Sequence, residues 1–396
     1  MTETPARAAA ALRSTRAIRE RAHHLLQRAR DGRSSWFDVD DDALENATTD
    51  VAAVTRERYP SLEIPYHSRW RHFEAGGVDR IAGLHERLAG LDPWARAASM
   101  IDLVVVSVLL DAGAGPEWTY VEQSSGQVLA RSEGLAVASW HAFNDGLFSS
   151  DPANPWQVDV VGLWDLTGAG LAEAFQVTPA NPLVGLDGRV RLLHRLGDAL
   201  SLAGRPSELF AGIAAASAHD VLDRVLDGLS GIWLSGNTIG DVPLGDCWRH
   251  EAIAGAGLTR GWMPLHKLSQ WLAYSLIEPL EQAGVAVTGL DELTGLPEYR
   301  NGGLLLDTGV LRLRDPALAA RSWSVGDELI VEWRALTVAL LDELAPRVRS
   351  RLGLGAEQLP LACVLEGGTW AAGRASAQRL RGGLPPLSIA SDGSVF

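Results

Sequence analysis

Lysine is nearly absent from this chain: of 35 basic residues, Lys267 is the one lysine and the rest are arginine. Alanine, glycine and arginine are abundant, which fits a coding bias under which surface lysines drift to arginine at little cost. Lys267 has not drifted. An ammonium can lose its proton and act as nucleophile or base, whereas a guanidinium cannot, so its retention points to chemistry, with chance survival as the competing reading. Cysteine is scarce too. Cys247 and Cys363 cannot build the disulfide framework of a small secreted protein, and a reducing, cytoplasmic setting is expected. Long apolar runs are missing: Ile101 to Leu110 falls well short of the roughly 18 residues a membrane-spanning helix needs, so no membrane role is expected. Positive charge is in deficit, with 49 acidic residues against 35 basic and a net charge of −14, which argues against nucleic acid as a partner. Arg7 to Arg33 is basic and alanine-rich, yet Glu3, Glu20 and Asp31 flank or interrupt it, so it reads as a solvated helix face rather than a targeting peptide. Glycine-rich phosphate loops and the Gly-X-Ser-X-Gly elbow do not occur, and no cofactor is expected.

What is present is ample core material, since 46% of the 396 residues are hydrophobic and 21% charged. Length alone allows two or three domains, but no repeat, low-complexity tract or linker divides the chain. We therefore expect a mainly α protein: an N-terminal helical extension over 1–35, then a single multi-helix catalytic domain over 36–396 with a few short strands. Apolar periodicity predicts helices at about Ala6–Arg30, Leu84–Leu91, Pro93–Ala112, Ser132–Phe148, Gly168–Phe175, Val184–Leu202, Ser207–Leu229, Leu265–Ala283, Asp327–Leu352 and Glu357–Leu380, the last interrupted at Gly367-Gly368. Asp92-Pro93 supplies a cap followed by proline at the first helical position. The region of Tyr59-Pro60 and Ile64-Pro65 reads as irregular, and Glu117 to Glu122 as one strand.

Three constellations could carry chemistry. The first joins Asp246, Cys247, Trp248 and His250 to His266 and Lys267. Its spacing matches no zinc pattern, so no metal is expected, and a histidine three residues away does not make Cys247 an activated thiolate. His266 and Lys267 open a helix whose positive end lowers side-chain basicity, or else they cap it and form a salt bridge. The second, Leu296 to Gly303, reads as a turn. In it Glu298 offers an acid, base or electrostatic stabiliser, Arg300 a bidentate anion ligand and Tyr299 a stacking ring; the bland alternative is a Glu298–Arg300 ion pair. The third comprises Glu332, in an apolar helix one turn after Glu328 and either catalytic or paired with Arg334 or Arg300, and Glu366 beside Gly367-Gly368, where close backbone approach or plain helix packing are both open.

The blocks Arg69–Phe73 with Gly76-Gly77, Glu133–Ala138, Asn181–Gly188, His266–Trp271, Leu296–Gly303, Glu328–Thr337 and Glu366–Arg374, with the ending Ser391–Phe396, resemble in residues and order the uracil-catabolism protein four family of the URC pyrimidine-degradation pathway. The resemblance runs from about residue 60 to the last residue. It departs at Ile239–Trp248, where Asp241 and Asp246 compete for one family position. The resemblance implies a part in a route with ribosylurea, or its 5-phosphate, as an intermediate and urea as a product, together with pathway enzymes as partners. Pro297–Arg300, Gly309–Leu311 and Glu332–Ala335 are also similar to runs of the queuosine-salvage nucleoside hydrolases, which implies a DNA-glycosylase-like helical core. On those resemblances the expected reaction is N-ribosyl hydrolysis of a small ribosylated substrate. Glu298 faces the sugar, Glu332 or Asp246 takes the second role, and Lys267, Arg300, Tyr299, His266, Trp248 and Glu366 bind substrate; Lys267 as an imine-forming nucleophile stays open. A non-catalytic partner of a pathway enzyme, with its fourteen tryptophans in core and interface, is the alternative.

Overall fold

Helices dominate the computed structural model, which describes residues 3–390; the Ser391–Phe396 ending lies outside them. The chain sorts into two compact units, each assembled from separated stretches. The first takes the N-terminal residues through His67, then Asn237–Gln270 and Gly289–Ala390; the second takes Ser68–Gly236 and Trp271–Thr288. Among the described residues every sheet is a two-stranded pairing, so the architecture is mainly α with minor β, as the composition predicts. None of the described helices is long and apolar enough to cross a membrane.

The first unit is built on the helix Glu328–Leu352, which buries every residue from Leu329 to Leu341 and is therefore enclosed on all sides. Helices Thr15–Arg30 and Leu44–Arg58 pack on it. The single helix expected over Ala6–Arg30 is two, Pro5–Leu12 and Thr15–Arg30, because the Ser14 hydroxyl accepts the Ala17 N–H at 3.1 Å and starts a new helix. Both bury an apolar face in this unit, with Ala8, Ala9, Leu12, Ile18, Ala22, Leu25 and Leu26 inside. Helix Leu44–Arg58 stands where part of an irregular stretch was expected. Thr48, Thr49, Thr55, Asn46 and Asp50 are poor helix formers, and packing of Leu44, Ala47, Val51 and Ala52 overrides that weak propensity.

Leu296–Gly303, expected as a turn, contains the start of a helix, Tyr299–Asp307, for which Glu298 is the N-cap. The segment expected as helical over Glu357–Leu380, interrupted at Gly367-Gly368, begins only at Leu361, and the interruption is a π-helical turn at Leu365–Thr369 before Trp370–Arg381. Gly367 and Gly368 lie in that turn because helix Leu44–Arg58 crosses there: a Cβ on Gly368 would sit 2.5 Å from both the Val51 carbonyl oxygen and the Thr55 hydroxyl. Beside these helices the strand Cys247–Arg249 pairs antiparallel with Trp262–Pro264, Cys247 opposite Pro264.

The second unit surrounds Pro93–Leu109, which buries Ala97 to Leu109 and begins as predicted, with Asp92 accepting the Ala95 N–H at 3.0 Å and Pro93 first in the helix. Arg131–Asn144 and Leu186–Ala199 pack against it. The expected strand occurs as Thr119–Val121, paired with Val128–Ala130. The expected Ser207–Leu229 helix is cut by a strand, Ala215–Ser217, which pairs in parallel with Ala286–Thr288; Ser217 then opens Ala218–Leu229 with a capping box.

Candidate functional site

The candidate residues of the first unit gather around one buried carboxylate. Asp246, immediately before the strand Cys247–Arg249, accepts both arms of the Arg334 guanidinium, Nη1 to Oδ1 at 2.8 Å and Nη2 to Oδ2 at 2.7 Å. The Trp248 indole N–H adds a bond to Oδ1 at 2.7 Å, and the Lys267 backbone N–H one to Oδ2 at 2.8 Å. Burial by itself raises the Asp246 pKa, but the Arg334 charge and these hydrogen bonds outweigh it and hold the carboxyl below its ordinary value. A carboxylate with four donors is a fixed anion. It has little capacity left to move protons, and its effect is to hold the groups bound to it.

Arg334 extends the arrangement, because its Nε–H donates to the Pro297 carbonyl at 3.1 Å. Three segments far apart in sequence thus meet at Asp246, Arg334 and Pro297, and the next residue is Glu298. The Glu298 carboxyl caps its helix, Oε2 accepting the Arg300 N–H and Oε1 the Asn301 N–H, both at 2.6 Å. Burial raises its pKa above the ordinary carboxylate value; the two N–H bonds and the charges of Lys267 and Arg300 oppose that rise without cancelling it. Each oxygen uses one of its two acceptor directions on the backbone and, among the described residues, keeps the other. Lys267 is half-buried at the start of helix Lys267–Gln282, tied through its N–H to Asp246 and within electrostatic reach of Glu298.

Arg300 does not form the ion pair with Glu298 that the sequence left open. Its guanidinium lies over the Tyr299 ring, 4.8 Å from the centroid, and Nη1 donates to the Gly383 carbonyl at 3.2 Å. Helix Trp370–Arg381 approaches so closely here that a Cβ on Gly373 would lie 2.2 Å from the Arg300 carbonyl oxygen. Gly302 is required as well: the Trp333 ring packs where its side chain would be, and the indole N–H donates to the Gly302 carbonyl at 3.1 Å.

Glu332 is paired, but not with the arginines expected. The Ser34 hydroxyl donates to Oε1, and His250 Nε2 meets Oε2 at 2.9 Å while His250 Nδ1 accepts the Ala252 N–H. Asp246 with Arg334, and His250 with Glu332, are therefore two parallel links between the strand region and the central helix. His266 points elsewhere, its Nε2–H donating to the Leu12 carbonyl at 3.1 Å, with its basicity lowered by burial foremost rather than by the helix end. Its backbone takes a positive φ of 48°, forced by the turn in which the Leu265 and His266 N–H groups both donate to the Asp246 carbonyl. Cys247 sits among Ala8, Leu12, Leu244 and Trp262, where burial pushes the thiol pKa well up, away from a reactive thiolate. No set of three His, Cys, Asp or Glu side chains able to hold a metal occurs among the described residues.

Glu366 belongs to a different group of side chains in the same unit. It accepts Arg58 Nη2 at 2.8 Å and the Tyr59 hydroxyl at 3.0 Å on Oε1, and pairs with His67 Nδ1 at 2.8 Å on Oε2. Burial is opposed by His67 and Arg58, and the carboxyl falls to about 2. Arg58, Tyr59 and His67 carried no sequence signal, since their meaning depends on a partner about 300 residues away. Arg334 was visible only within an apolar helix.

With this geometry in place, the comparisons with known proteins can be read against it. Residues 11–396 match the family described as "Protein of unknown function (DUF1688)". The chain is similar to protein urg3 of Schizosaccharomyces pombe, at 39% identity over 410 residues covering all of both chains. It is also similar to uracil catabolism protein 4 of Lachancea kluyveri, at 38% identity over 412 residues covering 92% of this chain and 93% of that one.

Proposed function

The chain belongs to this family of uracil-catabolism proteins, and from that premise we propose that it is a cytoplasmic N-ribosyl hydrolase which cleaves ribosylurea or its 5-phosphate to release urea. The observation that carries the reading is Glu298: a buried carboxyl of raised pKa, fixed by two backbone N–H groups, with an unused acceptor direction on each oxygen and the sole lysine within electrostatic reach. Cleavage of an N-glycosidic bond builds positive charge on C1 and the ring oxygen, and a preorganised anion in a desolvated site stabilises it. A raised pKa also makes the carboxylate a better base toward the attacking water. The likeness to queuosine-salvage nucleoside hydrolases, and with it a DNA-glycosylase-like helical core, supports the same role.

In this reading Glu298 carries both electrostatic and base roles. Asp246 and Arg334 act by position, holding the Lys267 backbone N–H and the carbonyl of Pro297, the residue before Glu298. Glu332 is engaged by His250 and Ser34 and braces the central helix. Trp248 and Tyr299 offer rings for substrate, although the Trp248 N–H is already spent on Asp246. The test is direct: purified chain incubated with ribosylurea and with its 5-phosphate should release urea from at least one. No release from either, with binding retained, supports a non-catalytic partner of a pathway enzyme instead.

A further inference from the structure

Buried guanidinium groups in this chain have their charge or their N–H groups answered from within the protein. Arg334 is matched by Asp246, Arg80 by Glu122 and Arg69 by Asp111, while Arg189 donates to the carbonyls of Leu110, Ala112 and Val184. Arg300 differs. It is 3% exposed, forms no ion pair among the described residues, donates once to Gly383, and its buried Nε–H has no hydrogen-bond partner. The Tyr299 face offsets only part of the cost of such a charge. A buried guanidinium whose N–H groups are not fully answered from within the protein is suited to an anion that visits it, because an unanswered polar group in a desolvated site is costly.

The position indicates which anion. Arg300 is two residues from Glu298 on the helix that Glu298 caps, and Lys267, held through its N–H in the Asp246–Arg334–Pro297 chain of bonds, supplies a second cation. An arginine fork and a point-charge ammonium are the pair that suits a phosphate dianion. One ribose ring spans the step from C1, where the glycosidic bond breaks, to the C5 oxygen. We infer that Arg300 and Lys267 form a phosphomonoester subsite, so that the substrate class is a ribosyl 5-phosphate rather than a free riboside. This rests on the ribosyl-hydrolase reading for the identity of the sugar.

Calorimetric titration of the full chain with D-ribose 5-phosphate and with D-ribose tests it. The phosphorylated sugar should bind about 100-fold or more tightly than ribose, the scale of two charge-assisted hydrogen bonds. Arg300→Met and Lys267→Met should each weaken ribose 5-phosphate at least about 10-fold. Since Arg300→Met removes a buried charge that has no ion pair among the described residues, the unliganded variant should melt at or above the wild-type temperature, whereas an arginine with a structural role would lower it. Lys267→Met is half-buried and keeps the test alive if Arg300→Met does not fold. Equal affinities for the two sugars, undetectable ribose 5-phosphate binding at millimolar concentration, or unchanged affinity in the folded variants overturns the inference. Urea release separates it from the reading beneath it. Phosphate-dependent binding without urea from ribosylurea 5-phosphate removes the hydrolase and leaves the subsite; equal kcat/KM on ribosylurea and its 5-phosphate removes the subsite and leaves the hydrolase.

Discussion

The Glu298 carboxyl is where burial and function pull in one direction. Replacing it by Gln keeps the shape and one of the two capping acceptors but removes the charge, and urea release should fall on the order of 100-fold or more with a smaller change in substrate affinity. Because its pKa is raised, the acid limb of the wild-type pH–rate profile should lie above the ordinary carboxylate range near 4.5. A wild-type rate in Glu298→Gln, or an acid limb at the ordinary value, removes Glu298 as the ionising group. Glu366 shows the opposite shift. Its pKa of about 2 against an ordinary 4.5 means that it stabilises the fold fully above about pH 4.5, and that this stabilisation is lost as pH falls toward 2. A fall of that size corresponds to about 3 kcal/mol at neutral pH. Urea unfolding of wild type and Glu366→Gln should therefore differ clearly at pH 7 and converge near pH 2.5. The charge, composition and spacing of these residues were legible in the sequence, and so was the oddity of Lys267. The direction of each pKa shift was not, because it follows from burial and from partners such as His67 and Arg58 that only folding brings close.

Among the elements, close approach decides more than propensity. Helices Tyr299–Asp307 and Trp370–Arg381 meet at Gly373, where a Cβ would fall 2.2 Å from the Arg300 carbonyl. Backbone cannot yield there as a flexible side chain could. Gly373→Ala should thus cost at least about 1–3 kcal/mol in denaturant unfolding, the usual range for overpacking. It should also weaken ribose 5-phosphate binding, since the helix that bears Arg300 must shift; a variant as stable as wild type would mean the two helices separate freely. Long periodic helices such as Pro93–Leu109 and Glu328–Leu352 were readable because their apolar residues are dense and their caps explicit. Leu44–Arg58 was not, since its three threonines, Asn46 and Asp50 hide a helix that tertiary contacts create. The glycine pair at Gly302-Gly303 misled in the other direction, reading as a turn when Gly302 makes room for Trp333.

For the whole molecule, connectivity matters more than any one contact. Each unit is discontinuous, so neither can be cut out as a single stretch. Residues 68–236 expressed alone lack Ala286–Thr288, the partner of strand Ala215–Ser217, and Ser275, whose hydroxyl accepts the Arg69 N–H and whose carbonyl accepts the Trp70 indole. That fragment should not unfold cooperatively in urea followed by circular dichroism. A sharp two-state transition would show that the intervening segments are dispensable. In the first unit, Arg334→Leu leaves Asp246 buried without its counter-ion and should cost about 3–5 kcal/mol, while the double change with Asp246→Leu should recover part of that loss because no lone charge remains.

The sequence by itself determined the helical class, the lack of a membrane-spanning helix among the described residues and the family, because these depend on composition, periodicity and ordered motifs that are properties of the chain. It also marked Glu298, Asp246, Lys267 and Arg300 as residues to watch. Tertiary structure alone decided that Asp246 is saturated by Arg334, Trp248 and the Lys267 N–H, that Glu332 belongs to His250, that Glu298 caps a helix, and that Arg300 is buried without an ion pair among the described residues. Asp246 and Arg334 stand 88 residues apart, and hydrogen bonding and desolvation act over ångströms in space, so nothing local in the sequence could encode their meeting.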